Sequence, residues 1–373
     1  MSSAATGAGV EAKGLAGIYA GETKVASVEQ GQLLYRGYDI HDLAEKATFE
    51  EVAYLLLVGE KPTGAELAAF CDELKLYRKV PGWLLEVVRK VAVGSHPMDS
   101  LRTGVSLLSH ADGETGDNSP EAELRKAKRL LAQIPVIIGA GQCAIDGKDM
   151  VEADGSLGHA ANLLWMMTGE KPSELLAKTM DISLILYAEH EFNASTFTCR
   201  VIAGTLSDIY SAVCGGIGAL KGPLHGGANE AAMSMLKEIG EVENVRSFMD
   251  NAFATKRKIM GFGHRVYKNG DHRAPILKSW GLKLSDNRPE FKKWFAIGEE
   301  VQRIMEEEKG IFPNVDFPCG MTYFTMGIPV PQYTPIFVAS RITGWCAHIM
   351  EQHGDNRLIR PLSRYTGSAK RAW

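Results

Sequence analysis

The sequence predicts an all-α protein with a small β element near its N-terminus. Three observations support this: apolar residues recur at helical spacing through most of the chain, helix start and stop residues bracket those runs, and only one stretch alternates with the period of a strand. That stretch is KVASVEQGQLLYRGYD, residues 24–39, read as a short hairpin with Gly31 in its turn. With 373 residues, 45% of them hydrophobic, the chain exceeds what a single core usually holds, so two domains or one elaborated domain are expected.

The helices follow in order. In TFEEVAYLLLVG, Thr48 and Glu51 have the spacing of a capping box and Gly59 stops the run. In SPEAELRKAKRLLAQ, Ser119 is a cap, Pro120 takes the first helical position, and acids fill the first turn, where the helix dipole favours them. The same pattern recurs over residues 171–192, KPSELLAKTMDISLILYAEHEF. Two long helices close the chain, one starting after Pro289 and stopping at Gly310, the other carrying TPIFVASRITGWCAHIMEQ. Earlier in the chain, SHADGETGDNS from Ser109 to Ser119 reads as a polar loop.

Composition narrows the function. A formal net charge of -4 argues against a nucleic-acid partner, which usually shows as a basic patch. No apolar run approaches the roughly 20 residues of a membrane span, and MSSAATGAGVEAKG has neither a signal core nor transit arginines, so no membrane partner and a cytoplasmic location are expected. The six cysteines are scattered without a C-x-x-C pair and read as reduced thiols. Two motif-like stretches are set aside. Gly216, Gly218 and Gly222 have the wrong spacing for a dinucleotide loop, and fit a helix packed closely on another. His348 and His353 lie five apart, on different helix faces, so no metal is implied.

Three stretches set an ionisable residue among glycine, proline or small residues. GPLHGGANE holds His225, where Pro223 fixes its own φ and Gly226 and Gly227 permit positive φ, so the turn is expected to present the imidazole. KIMGFGHRVYKNGDHRAP holds His264 and Arg273, and FPNVDFPCG holds Asp316. Two imidazoles and a carboxylate suit proton abstraction beside a carbonyl, with no activated Ser or Cys required. Lys256, Arg257, Lys258, Arg265 and Lys268 cluster around exposed glycine backbone. That suits a phosphate-bearing cosubstrate and equally a solvated basic surface.

These stretches, with LLYRGYDIHDLA, SHPMDSLRTGVSLL, YAEHEFNASTFTCRVIAGTLSDIYS and the C-terminal MGIPVPQYTPIFVASRITGWCAHIMEQHGDNRLIRPLSRYTG, resemble the citrate synthase family, of the short bacterial and archaeal type, over almost the whole chain. YAEHEFNASTFT looks like the 2-methylcitrate branch, and GPLHGGANEAAMSMLKEIGEVEN like bacterial citrate synthases. The resemblance implies a two-domain helical fold, with a large domain of residues 1–226 and 328–373 and a small domain of residues 227–327. It implies an acyltransferase that condenses acetyl-CoA with oxaloacetate and water to give citrate and CoA, or propionyl-CoA to give 2-methylcitrate, or both. No permanently bound cofactor and no metal are implied.

By matching positions, Asp316 is the base, His225 donates to the thioester oxygen, and His264 protonates the oxaloacetate carbonyl. His190, Arg273, Arg341 and Arg360 hold oxaloacetate, with Arg360 crossing to the partner of a homodimer. Arg257, Lys258, Ile259, Met260, Gly261 and Lys268 hold CoA. A helix start after His225 is expected to keep it neutral. Two residues depart from the family pattern, His272 and Tyr187, and neither is expected to touch the chemistry. A lyase running the reverse reaction would need an ATP-binding segment, which is not present in the sequence. A helical oligomer that had lost activity would be expected to have lost His225, His264 or Asp316, and all three stand.

Overall fold

The computed structural model describes residues 13–15, 17–29, 32–264, 267 and 270–373. Gly31 and Lys268 lie outside the described residues. The alternating stretch forms β1 (Ala26–Glu29), β2 (Gln32–Tyr35) and β3 (Tyr38–Asp39). They pair antiparallel in the order β1-β2-β3, with Ala26 opposite Tyr35 and Leu34 opposite Asp39. Leu33 and Tyr35 share the buried face of β2, as period-two alternation requires.

Sixteen α-helices follow among the described residues. The first eight are α1 (Ile40–Lys46), α2 (Phe49–Val58), α3 (Gly64–Tyr77), α4 (Gly82–Ala92), α5 (Pro97–Ala111), α6 (Pro120–Ile145), α7 (His159–Thr168) and α8 (Glu174–Tyr187). Then come α9 (Ala194–Ala203), α10 (Ile209–Leu220), α11 (Ala228–Ile239), α12 (Val245–Ala254), α13 (Arg273–Asp286), α14 (Lys292–Lys309), α15 (Asp316–Thr325) and α16 (Tyr333–Gly354). Both halves of the Thr48–Glu51 capping box form, and Gly59 ends α2 in the left-handed region. Ser119 precedes Pro120 as expected, but its side chain makes no capping bond.

The helical pattern over 171–192 stops early. The chain leaves α8 after Tyr187, and Glu191 takes φ +49°. The cause lies in the sheet. The Tyr35 hydroxyl sits at the end of α8, 3.1 Å from the Ile185 carbonyl and 3.0 Å from that of Glu189, and it accepts from the Glu189 N–H at 3.2 Å. Val28 N–H donates to Glu191 Oε1 at 2.6 Å. The N-terminal sheet therefore pins the turn that carries residues 187–191.

Helix α16 runs through the core against α6, α8, α9 and α10. Its approach to α10 depends on glycine: a Cβ at Gly216 would lie 2.6 Å from Cys199 Sγ on α9 and 3.1 Å from the Trp345 ring on α16. Of the three glycines singled out in the sequence, Gly216 alone serves helix packing; a Cβ at Gly218 would meet nothing within 4 Å, and Gly222 lies beyond the end of α10. His348 and His353 point apart, to Glu189 and Glu123 respectively. Helices α11 to α15 pack mainly on one another, α13 and α11 on α15, and α12 on α14. Helix α13 reaches α8, and α11 reaches α16. No helix among the described residues is long and apolar enough to cross a membrane.

Candidate active site

The segments singled out in the sequence meet where α8, α13, α15 and α16 converge. Residues 261–263 lie antiparallel to 312–314: Gly263 N–H donates to the Phe312 carbonyl, Asn314 N–H to that of Gly261, and Asn314 Nδ2 to that of Gly263, each at 2.9 Å. Gly261 stands at φ +82°, and a Cβ there would lie 2.8 Å from that of Phe317. Only glycine suits this position. This strap brings the His264 segment against the first residue of α15, Asp316.

Asp316 Oδ1 accepts a hydrogen bond from the Tyr187 hydroxyl at 2.8 Å. Burial pushes the carboxyl up to about 6, opposed by that hydrogen bond and by Arg273 and Arg341. The expectation that Tyr187 stands clear of the chemistry is therefore corrected: its ring packs on Phe337 at 4.3 Å and its hydroxyl touches the candidate base.

His225 sits in the turn between α10 and α11, its N–H donating to the Gly222 carbonyl at 2.9 Å. Gly226 and Gly227 do not use positive φ there. They permit close approach: a Cβ at Gly226 would lie 2.6 Å from Leu220 Cγ, and one at Gly227 2.7 Å from the Lys221 carbonyl oxygen. Ser195 N–H donates to His225 Nε2 at 3.3 Å, and Ser195 Oγ lies 2.8 Å from the same nitrogen. This assigns the ring proton to Nδ1, a donor for an oxyanion. Burial, then Arg341, lowers His225 to about 3, so it is neutral. The helix start after it is present, but these two causes suffice.

Similarly, Tyr267 N–H donates to His264 Nδ1 at 3.3 Å, which assigns the proton to Nε2. Burial and then Arg273 lower this ring to about 4. His190 is buried beside it, ring centroids 5.0 Å apart, with Nε2 3.0 Å from the Tyr267 hydroxyl. Burial, Arg273, His264 and Arg341 all hold His190 well below the ordinary imidazole range.

The two guanidiniums differ. Arg273, 4% exposed, donates from Nε and Nη2 to the Asp271 carboxylate at 2.9 and 2.8 Å, and from Nη1 to the Leu186 carbonyl at 3.3 Å. These bonds leave an N–H on each terminal nitrogen for a ligand. Asp271 Oδ2 also accepts from Val315 N–H at 3.0 Å, which ties Arg273 to the start of α15. Arg341, 1% exposed, donates from Nε to the Tyr187 carbonyl at 2.7 Å and lies over Phe337 at 4.8 Å. Its Nη1 is buried with no hydrogen-bond partner. Such a group is suited to bidentate contact with a carboxylate.

The structure thus gathers His190, His225, His264, Arg273, Asp316 and Arg341. Arg360 stands apart, exposed on the segment after α16. Arg257 and Lys258 are exposed, Arg257 paired with Glu238 at 2.7 and 2.6 Å, whereas Ile259 is buried and Met260 half-buried. Tyr187, Phe337, Asp271 and Ser195 join the site without having been assigned a part from the sequence. Among the described residues no group of His, Cys, Asp and Glu could hold a metal.

Fold and site together define a class: an all-α enzyme with a buried carboxyl, neutral imidazoles and two buried guanidiniums, suited to forming an enolate beside a bound carboxylate. The chain belongs to the citrate synthase family. The family model for the citrate synthase C-terminal domain matches residues 14–362. The chain is 46% identical over 363 residues to the citrate synthase of Haloferax volcanii, covering 95% of each. It is 47% identical over 363 residues to the 2-methylcitrate synthase of Shewanella oneidensis, covering 96% of this chain and 95% of that protein. Its fold is similar to that of citrate synthase from Thermoplasma acidophilum in ternary complex with carboxymethyl coenzyme A and oxaloacetate, with a TM-score of 0.93, 33% identity, and 96% and 97% of the two chains covered.

A pH profile tests the electrostatics. Asp316 is raised above the ordinary carboxylate value, so its basic form dominates only above about 6 and is lost as pH falls through that value. His225 and His264 are lowered to about 3 and about 4 and stay neutral across that window. The kcat/KM for the acyl donor should show one acid limb near pH 6; a limb near pH 4 would contradict the geometry.

Proposed function

We propose that the protein condenses acetyl-CoA with oxaloacetate and water to give citrate and CoA, and accepts propionyl-CoA to give 2-methylcitrate. One observation carries this reading. The buried, unpartnered Nη1 of Arg341 belongs to a guanidinium near enough to Arg273, His190 and Asp316 for their charges to interact, and the Asp316 carboxyl is raised to about 6. A dicarboxylate satisfies the cations, and the carboxyl removes a proton from the carbon next to a thioester.

Asp316 takes the α-proton of the acyl group while His225 Nδ1–H donates to the thioester oxygen. The enolate carbon attacks the oxaloacetate carbonyl as His264 Nε2–H transfers its proton to the carbonyl oxygen. Water then attacks the thioester carbonyl, CoA leaves as the thiol, and the new carboxylate completes citrate. A carboxylate is a weak base for such an acid, so most of the barrier reduction comes from preorganised donors and exclusion of water. Rotation of residues 227–327 against the rest of the chain over the substrates supplies that exclusion. Arg257, Lys258, Ile259, Met260, Gly261 and Lys268 receive CoA, with the Arg257–Glu238 pair opening to a phosphate. The working form is a cytoplasmic homodimer in which Arg360 of one protomer completes the oxaloacetate site of its partner.

Release of free thiol from acetyl-CoA, dependent on oxaloacetate and independent of ATP, tests the reaction. Both acyl-CoAs should be used, since one methylene in an apolar pocket changes specificity by only about 10- to 200-fold. The comparable identity to a citrate synthase and to a 2-methylcitrate synthase fits this range. A preference above about a thousandfold either way would contradict dual use.

A hybrid dimer tests the shared site. Asp316→Asn and Arg360→Ala chains, each nearly inactive alone, should regain activity when paired, because one site of the hybrid then has both groups intact. A purified hybrid as inactive as its parents would show that Arg360 serves its own chain.

A further inference from the structure

Tyr187 touches both Arg341 and Asp316. Its main-chain carbonyl accepts Arg341 Nε at 2.7 Å, and its side-chain hydroxyl donates to Asp316 Oδ1 at 2.8 Å. The ring cannot swing away. It is 1% exposed and packed on Phe337 at 4.3 Å. Asp316 is fixed from the other side as well, since its N–H donates to Asn314 Oδ1 at 3.0 Å at the start of α15.

We propose that Tyr187 is a positioning residue for the base: its hydroxyl holds Asp316 Oδ1 and leaves Oδ2 as the oxygen that takes the proton. The hydrogen bond does two things. It selects a rotamer of the carboxylate, because a donor fixed by packing orients its acceptor. It also favours the ionised form, since a phenol donates to a carboxylate more strongly than to a carboxylic acid. Tyr187 is the nearest uncharged donor opposing the burial of Asp316, with Arg273 and Arg341 as the cations and Asp271 as the anion that act there. This inference rests on Asp316 being the base; the titration below does not require it.

The test is direct titration of the Asp316 carboxyl in the full-length protein by carbon-13 NMR with labelled aspartate, assigned by comparison with Asp316→Asn. Tyr187→Phe removes the donor and should move the titration upward by about one to two pH units, the worth of one hydrogen bond to a charged group. Replacing Tyr187 by 3-fluorotyrosine, a stronger donor of nearly the same shape, should move it downward. The acid limb of kcat/KM should follow in each case, with activity of Tyr187→Phe recovering at high pH. Oxaloacetate affinity should stay unchanged, because the backbone carbonyl still holds Arg341. An Asp316 titration that ignores both substitutions would overturn the proposal, as would a loss of rate in Tyr187→Phe that no pH restores. If Tyr187→Phe does not fold, the fluorotyrosine shift alone decides. Shifts in titration without any oxaloacetate-dependent turnover in the unaltered protein would leave Tyr187 in its place and refute the reaction instead.

Discussion

The site is organised by a positive charge held inside a helical core. Arg341 projects from the middle of α16 with its Nη1 unpartnered, and burying a cation without a hydrogen-bonded anion is costly. Its field reaches His190, His225 and Asp316, and Arg273 reinforces it at His190, His264 and Asp316. Burial first, and then these two cations, keep the imidazoles neutral, and the same cations help keep a buried carboxyl ionisable. Much of the remaining structure holds these cations in place. Both donate to main-chain carbonyls at the end of α8, Leu186 for Arg273 and Tyr187 for Arg341, and Asp271 additionally pairs with Arg273. The N-terminal sheet, through Tyr35 and Val28, fixes the turn that presents those carbonyls.

Behind that turn a buried relay balances the charge. Glu189, fully buried, lies 2.9 Å from His348 Nε2, and His348 Nδ1 lies 3.0 Å from Arg200 Nη1. Arg200 in turn pairs with Glu351 at 2.7 Å, and Glu351 accepts the Lys24 N–H at 2.7 Å. Glu189 is the strongest opposing charge acting on Arg341. It fits only because Gly344, one turn beyond Arg341 on α16, has no Cβ, which would overlap the carboxylate. Removing one member would leave the others buried and unbalanced, which usually costs more than the pair contributes.

Local chemistry was legible in the sequence and its long-range consequences were not. The Thr48–Glu51 box, Pro120 at a helix start and Gly59 at a helix end are set by residues within one turn, so spacing alone identifies them. Gly216 was readable as a close-packing position because no strand precedes it, whereas Gly218 and Gly222 make no such contact. The early end of α8 was not readable, since its cause is Tyr35, some 150 residues away. Gly226 and Gly227 were correctly placed in a turn for the wrong reason: they meet Leu220 and Lys221, contacts that only the folded turn creates. Tyr187 stood out only as a departure from a family pattern. Its hydroxyl meets Asp316 across 129 residues, and neither the apolar periodicity of α8 nor the FPNVDFPCG stretch signals that meeting.

The buried, unpartnered Nη1 of Arg341 suits an anionic ligand, and a dicarboxylate can also use the remaining N–H groups of Arg273. Thermal unfolding of the unliganded protein should therefore respond to oxaloacetate and far less to pyruvate, which keeps the keto acid but lacks the second carboxylate. A ligand at about 100 times its Kd adds about 2.7 kcal/mol to the stability of the state that binds it. A clear rise in Tm with oxaloacetate, reduced to near zero by pyruvate at the same concentration and lost in Arg341→Gln, is the expected result. Equal stabilisation by the two keto acids, or full stabilisation by oxaloacetate in Arg341→Gln, would contradict it.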